Sequence, residues 1–147
     1  MAHSGFKTAD DALAFIFSGK AVVTLTSGQT GKHFTYKVKS PADNPKMFFV
    51  QHLFGPDNAW NGDWAYLGYA HPSTFYLRDR FLSAGKKGKP EAASFKALDW
   101  ALKHLSAGSI PEGLTIQHSD ACGKCGRPLT DPVSVETGLG PVCRGAA

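Results

Sequence analysis

The sequence predicts an α+β fold: an antiparallel sheet of about five strands flanked by an N-terminal and a C-terminal helix, with a small cysteine-bearing module after it. Three observations predict it. Two stretches carry apolar residues at helical spacing, one near each end of residues 1–110. Between them the period drops to two, and short turn-rich segments separate the alternating runs, as in strands joined by hairpins. All three cysteines then fall in the last quarter of the chain. Two units are expected, an α+β body at 1–110 and a module at 111–147.

Each element follows from local chemistry. Thr8 is an N-cap residue, and Asp10 and Asp11 stand in the first turn, where the helix dipole favours them. Leu13, Ile16 and Phe17 continue at core-facing spacing and Gly19 ends the helix. Val23 and Leu25 then alternate with Thr24 and Thr26. Turn residues 27–31 follow, and alternation resumes over Phe34–Lys39, which makes a hairpin. Within the second strand, alternation sends Phe34 and Tyr36 to one face and Lys37 and Lys39 to the other. The runs 47–54, 64–69 and 74–78 are the third, fourth and fifth strands, with Gly55–Asn58 as a strong turn between the first two of these. Residues 83–90 make a basic loop containing Lys86, Lys87 and Lys89. A helix over 91–106 then presents Phe95, Leu98, Ala101, Leu102 and Leu105 as one stripe, and Gly108 stops it. Thr115–Gln117 is a short strand leading to the cysteines.

The chain has 147 residues, 42% of them apolar and 19% charged, which supports one packed core without disulfides. No apolar run is long enough for a membrane helix, so no membrane partner is expected. The early apolar run Ala12–Phe17 follows acidic residues, unlike a signal peptide, and a cytoplasmic location is expected. A net charge of +4 permits an anionic partner without requiring one.

Three cysteines cannot close a disulfide framework among themselves. Cys122 and Cys125 have Cys-x-x-Cys spacing, which lets two thiolates face one ion, and Gly126 permits the backbone reversal of a zinc knuckle. Cys143 follows at an ordinary spacing between ligand pairs. A tetrahedral structural Zn2+ site needs a fourth ligand. His118 is the nearest histidine, with His104 or Asp120 as substitutes. Asp131, Pro132 and Gly138 suit the cap, first turn and end of a short helix between the ligand pairs, a treble-clef-like arrangement. A redox pair is the competing reading of Cys122 and Cys125. The knuckle glycine and the third cysteine argue against it.

The run from Cys122 through Gly126, Arg127, Pro128, Leu129 and Thr130 to Gly138, Gly140, Pro141 and Cys143 resembles the C-terminal motif of a family of small uncharacterised bacteriophage and mobile-element proteins. A looser similarity extends upstream through Thr30–Lys37, Phe49, Val50, Asp57, Asn58 and Tyr66–Gly68. The resemblance implies a zinc module and a phage-like origin in a bacterial host, and no particular activity.

Two binding functions suit the remaining residues. Nucleic acid is the first expectation, with Lys37, Lys39, Arg78, Arg80, Lys86, Lys87, Lys89, Lys124 and Arg127 as candidate phosphate contacts beside an aromatic-rich sheet. The competing expectation for those rings is that they form the core. The second binding function is a module that covers and modulates a host protein, for example as a counter-defence factor, with the Trp60–Trp64 turn as anchor. Catalysis is not expected. No nucleophile elbow, phosphate loop or dinucleotide fingerprint occurs, although His33, His52, His71 and His104 could converge in space.

Overall fold

The computed structural model describes residues 5–40, 47–56, 62–70, 82–83 and 92–118. They form an antiparallel six-stranded sheet and two helices. In chain order these are α1 (Ala9–Ile16), β1 (Lys20–Ser27), β2 (His33–Lys39), β3 (Phe48–Leu53), β4 (Trp64–Ala70), β5 (Leu82–Ser83), α2 (Ala93–Ser106) and β6 (Leu114–His118). The sheet order is β5-β4-β3-β2-β1-β6. Strands β1 to β5 are laid down as a meander, and the chain returns through α2 to add β6 beside β1.

Among the described residues the sheet has six strands, against an expected five. Strand β6 pairs with β1 from Val23↔His118 to Ser27↔Leu114. It is therefore part of the main sheet, where the sequence shows only a short lead into the cysteine region. The expected fifth strand at 74–78 lies outside the described residues, and β5 supplies the outer position. Residues 84–91 of the basic loop region and residues 119–147, with all three cysteines, also lie outside the described residues.

Local chemistry accounts for the helix ends. The Thr8 hydroxyl accepts from the Asp11 amide at 3.2 Å, satisfying one of the free donors of the first turn of α1. Helix α2 begins at Ala93 with Ala92 as a cap that offers no side-chain bond. It ends in a Schellman motif: Ser109 N–H donates to His104 O at 3.2 Å and Gly108 N–H to Leu105 O at 3.0 Å. Gly108 adopts φ +95°, the left-handed conformation this turn needs.

Both helices pack on one face of the sheet. The alternating residues Ala21, Val23 and Leu25 of β1, Tyr36 and Val38 of β2, Phe48 and Val50 of β3, and Ile116 of β6 share one core with Ala12, Phe15, Ile16, Leu98, Ala101, Leu102 and Leu105 of the helices. Register confirms the common face, since Ala21↔Val38, Val23↔Tyr36 and Val38↔Val50 are direct partners. The Tyr36 hydroxyl donates to Ser94 O at 2.6 Å, and Ser94 Oγ lies 2.9 Å from His52 Nδ1. These bonds pin the first turn of α2 to the middle of the sheet. No helix among the described residues is long and apolar enough to cross a membrane.

Candidate nucleic-acid interface

The opposite sheet face carries no helix among the described residues, and its side chains follow from register. The cross-strand partners Lys20↔Lys39, Lys39↔Phe49 and Phe49↔Tyr69 place one row of Lys20, Lys39, Phe49 and Tyr69 across four strands. The next row along the strands is Val22, Lys37, Gln51 and Tyr66. Beyond it lie Thr24, Thr35, Leu53 and Trp64, with a 2.9 Å bond between the two threonine hydroxyls. No Asp or Glu occupies this face on β1, β2, β3, β4 or β6.

The aromatic content of the face depends on a bulge. Val50 pairs with Gly68 and Gln51 with Tyr66, so Leu67 is an extra residue on β4. Strict alternation from Tyr69 would turn Tyr66 and Trp64 toward the helices. The inserted residue resets the phase, and Trp64, Tyr66 and Tyr69 share one face. Leu67 itself is buried in the core. Gly68 is required by close packing here: a Cβ would stand 2.5 Å from Ser83 O and 3.1 Å from a Phe95 ring carbon. A glycine inside an alternating strand is the one sequence sign of such a bulge.

The electrostatics are one-sided. Lys39 is exposed, whereas Lys37 is only 6% exposed, with Nζ 5.4 Å from the centroid of the Trp64 ring. Burial first, then the neighbouring charge of Lys39, lowers the Lys37 ammonium from the ordinary lysine value. Lys20 and Lys39 stand directly opposite each other across β1 and β2, which brings two positive side chains to one corner of the face. Tyr66 is raised from the usual phenol value by burial and by Tyr69 beside it. Gln51 Oε1 is buried within this face and has no hydrogen-bond partner.

Of the nine candidate phosphate contacts read from sequence, Lys37 and Lys39 come together on this face. Arg78, Arg80, Lys86, Lys87, Lys89, Lys124 and Arg127 lie outside the described residues. Sequence reasoning missed Lys20 and the positions of Phe49 and Gln51, which only cross-strand register reveals. It also separated Phe34 and Tyr36 from the lysines, correctly for β2. The rings that accompany the lysines come from β3 and β4.

His118 is the one proposed zinc ligand among the described residues. It ends β6 on the core side and is 6% exposed, with its ring 5.7 Å from that of Phe6 and 5.5 Å from that of Phe15. Cys122, Cys125 and Cys143 lie outside the described residues, and no cluster of three metal-capable side chains occurs within them. His104, the substitute ligand, packs edge-on against Trp100 at 4.9 Å on the exposed side of α2. The Ser94–His52 pair joins the first turn of α2 to β3 as a packing contact, with Ser94 only 3% exposed between helix and sheet.

Residues 113–147 match a family of unknown function (DUF6011). The matched stretch takes in β6 and all three cysteines, and it leaves residues 1–112, including β1 to β5, outside it. No curated protein and no solved structure matches the chain.

Proposed function

We propose that this protein binds nucleic acid through the sheet face that carries no helix among the described residues. The observation that carries the reading is the shared face of Lys20 and the exposed Lys39 with Phe49, Trp64, Tyr66 and Tyr69, where Lys37 packs against Trp64. Phosphates would meet the exposed Lys39 and bases would stack on the rings. The role is binding rather than catalysis.

The test is fluorescence anisotropy with labelled oligonucleotides across a salt series. Binding should weaken linearly in log–log coordinates with salt. Lys39→Glu should weaken it several-fold and flatten the slope by about one. Absence of any salt-dependent binding at micromolar protein would overturn the reading.

The spacing of Cys122, Cys125 and Cys143 supports a structural Zn2+ held by these thiolates, with His118 proposed as fourth ligand. When bound, the ion would tie the segment after β6 together, and no chemistry on a substrate is assigned to it. Metal analysis of protein purified without added zinc should give about one equivalent, reduced by Cys125→Ser. Less than about half an equivalent, unchanged by that substitution, would remove the zinc assignment.

A second reading, binding to a host protein, draws on Trp100, which is 47% exposed on the outer side of α2. Recovery of a stoichiometric partner that is lost with Trp100→Ala would favour it over nucleic acid. Phage origin and a bacterial cytoplasmic setting rest on the motif resemblance.

A further inference from the structure

At the far end of the β2–β3 pair from Lys39, an open pocket of about 270 Å³ is lined by His33, Phe34, Thr35, Leu53, Phe54 and Gly55. His33, Thr35 and Leu53 belong by alternation to the lysine-bearing face, so the pocket adjoins that face. From His33 to Lys39 the strand runs roughly 20 Å. We propose that this pocket is a nucleobase subsite of the same interface, and that the preferred ligand is therefore a single strand. The proposal rests on the nucleic-acid reading above.

Three features define the subsite. Phe54 is 66% exposed and offers a ring beside the polar edges of His33 and Thr35, the combination that stacks and orients a heterocycle. Its backbone is held, since the Phe54 amide donates to Asp63 O at 3.0 Å. Gly55 lets the chain pass close to Asp63, because a Cβ there would overlap the Asp63 side chain. With two phenylalanine rings and no lysine or arginine in its lining, the pocket suits the base of a nucleotide, and the backbone would lie toward the exposed Lys39. A duplex keeps its bases stacked inside and cannot offer one to the pocket without unpairing.

The experiment uses the full chain and three labelled probes of about twelve nucleotides: a single strand, the same sugar-phosphate strand with abasic sites throughout, and the corresponding duplex. Wild-type protein should prefer the single strand over both other probes by about tenfold. Phe54→Ala should remove most of that preference, leave abasic binding and the salt slope unchanged, and retain the wild-type circular dichroism spectrum. Phe54→Trp should restore the preference. Equal wild-type affinity for single-stranded and abasic probes, or no change with Phe54→Ala, overturns the subsite while leaving salt-dependent binding intact. Duplex binding as tight as single-strand binding overturns the strand preference. Binding to none of the probes overturns the subsite together with the reading it rests on.

Discussion

Tyr36 shows how much a single side chain can join. Its ring lies in the core, its hydroxyl holds Ser94 O, and Ser94 holds His52. Burial raises the phenol well above the ordinary value of 10.0. The folded state therefore keeps a proton that the unfolded chain loses above about pH 10, so stability should fall as pH rises through that region. Lys37 acts in the opposite sense. Its lowered value means the unfolded chain holds the extra proton below 10.5, which raises stability with pH there. Comparison with Tyr36→Phe separates the two. That variant should lose about 1 kcal/mol at neutral pH and show a smaller decline above pH 10 in urea titrations. Thr8 and Gly108 are residues whose roles were legible beforehand, because a cap and a left-handed turn are decided by neighbours within one helical turn. The role of Lys20 was not, because its partner Lys39 lies across a hairpin.

Among the elements, β4 has the largest consequence for the candidate site. The extra residue Leu67 turns Trp64 and Tyr66 to the same side as Tyr69, and Gly68 lets the strand pass close beneath Ser83 and Phe95. Gly68→Ala should destabilise by about 1–3 kcal/mol, because the contact is with backbone that cannot rotate away. The check is the midpoint of chemical denaturation. If the bulge slips instead, Trp64 and Tyr66 change face, and tryptophan emission should shift. A destabilised protein with unshifted emission would show that the bulge survives the crowding. The pattern of 64–69 showed a strand readily enough. It did not show the bulge, since aromatic residues at 64, 66 and 69 fit either phase of the pleat on one side of Gly68.

In the whole molecule, strand β6 ties the family-matched segment into the body. It hydrogen-bonds to β1 along its length, accepts the Phe6 amide at 2.8 Å through Ile116 O, and contributes Ile116 and His118 to the buried interior. A chain ending at residue 112 would leave the β1 edge unpaired and remove those side chains from beneath α1. It should lose cooperative thermal unfolding, or melt well below the full chain by circular dichroism. A chain ending at residue 118 should retain the transition if the sheet and helices alone carry the core. Retention by the shorter chain would mean that β6 only docks on a body already complete.

The amino-acid sequence by itself determined both helices, the Thr8 cap of α1 and the Gly108 stop of α2, the β1–β2 hairpin and the strands at 47–54 and 64–69, because periodicity, turn residues and capping act over a few neighbouring positions. It also carries the cysteine spacing on which the zinc proposal stands. The tertiary structure alone decided that β6 joins the sheet, that both helices cover one face, and that lysines from β1 and β2 meet rings from β3 and β4 on the other. Those facts depend on register between distant strands and on one bulge. A shift of one residue would exchange the two faces while leaving every local pattern in the sequence unchanged.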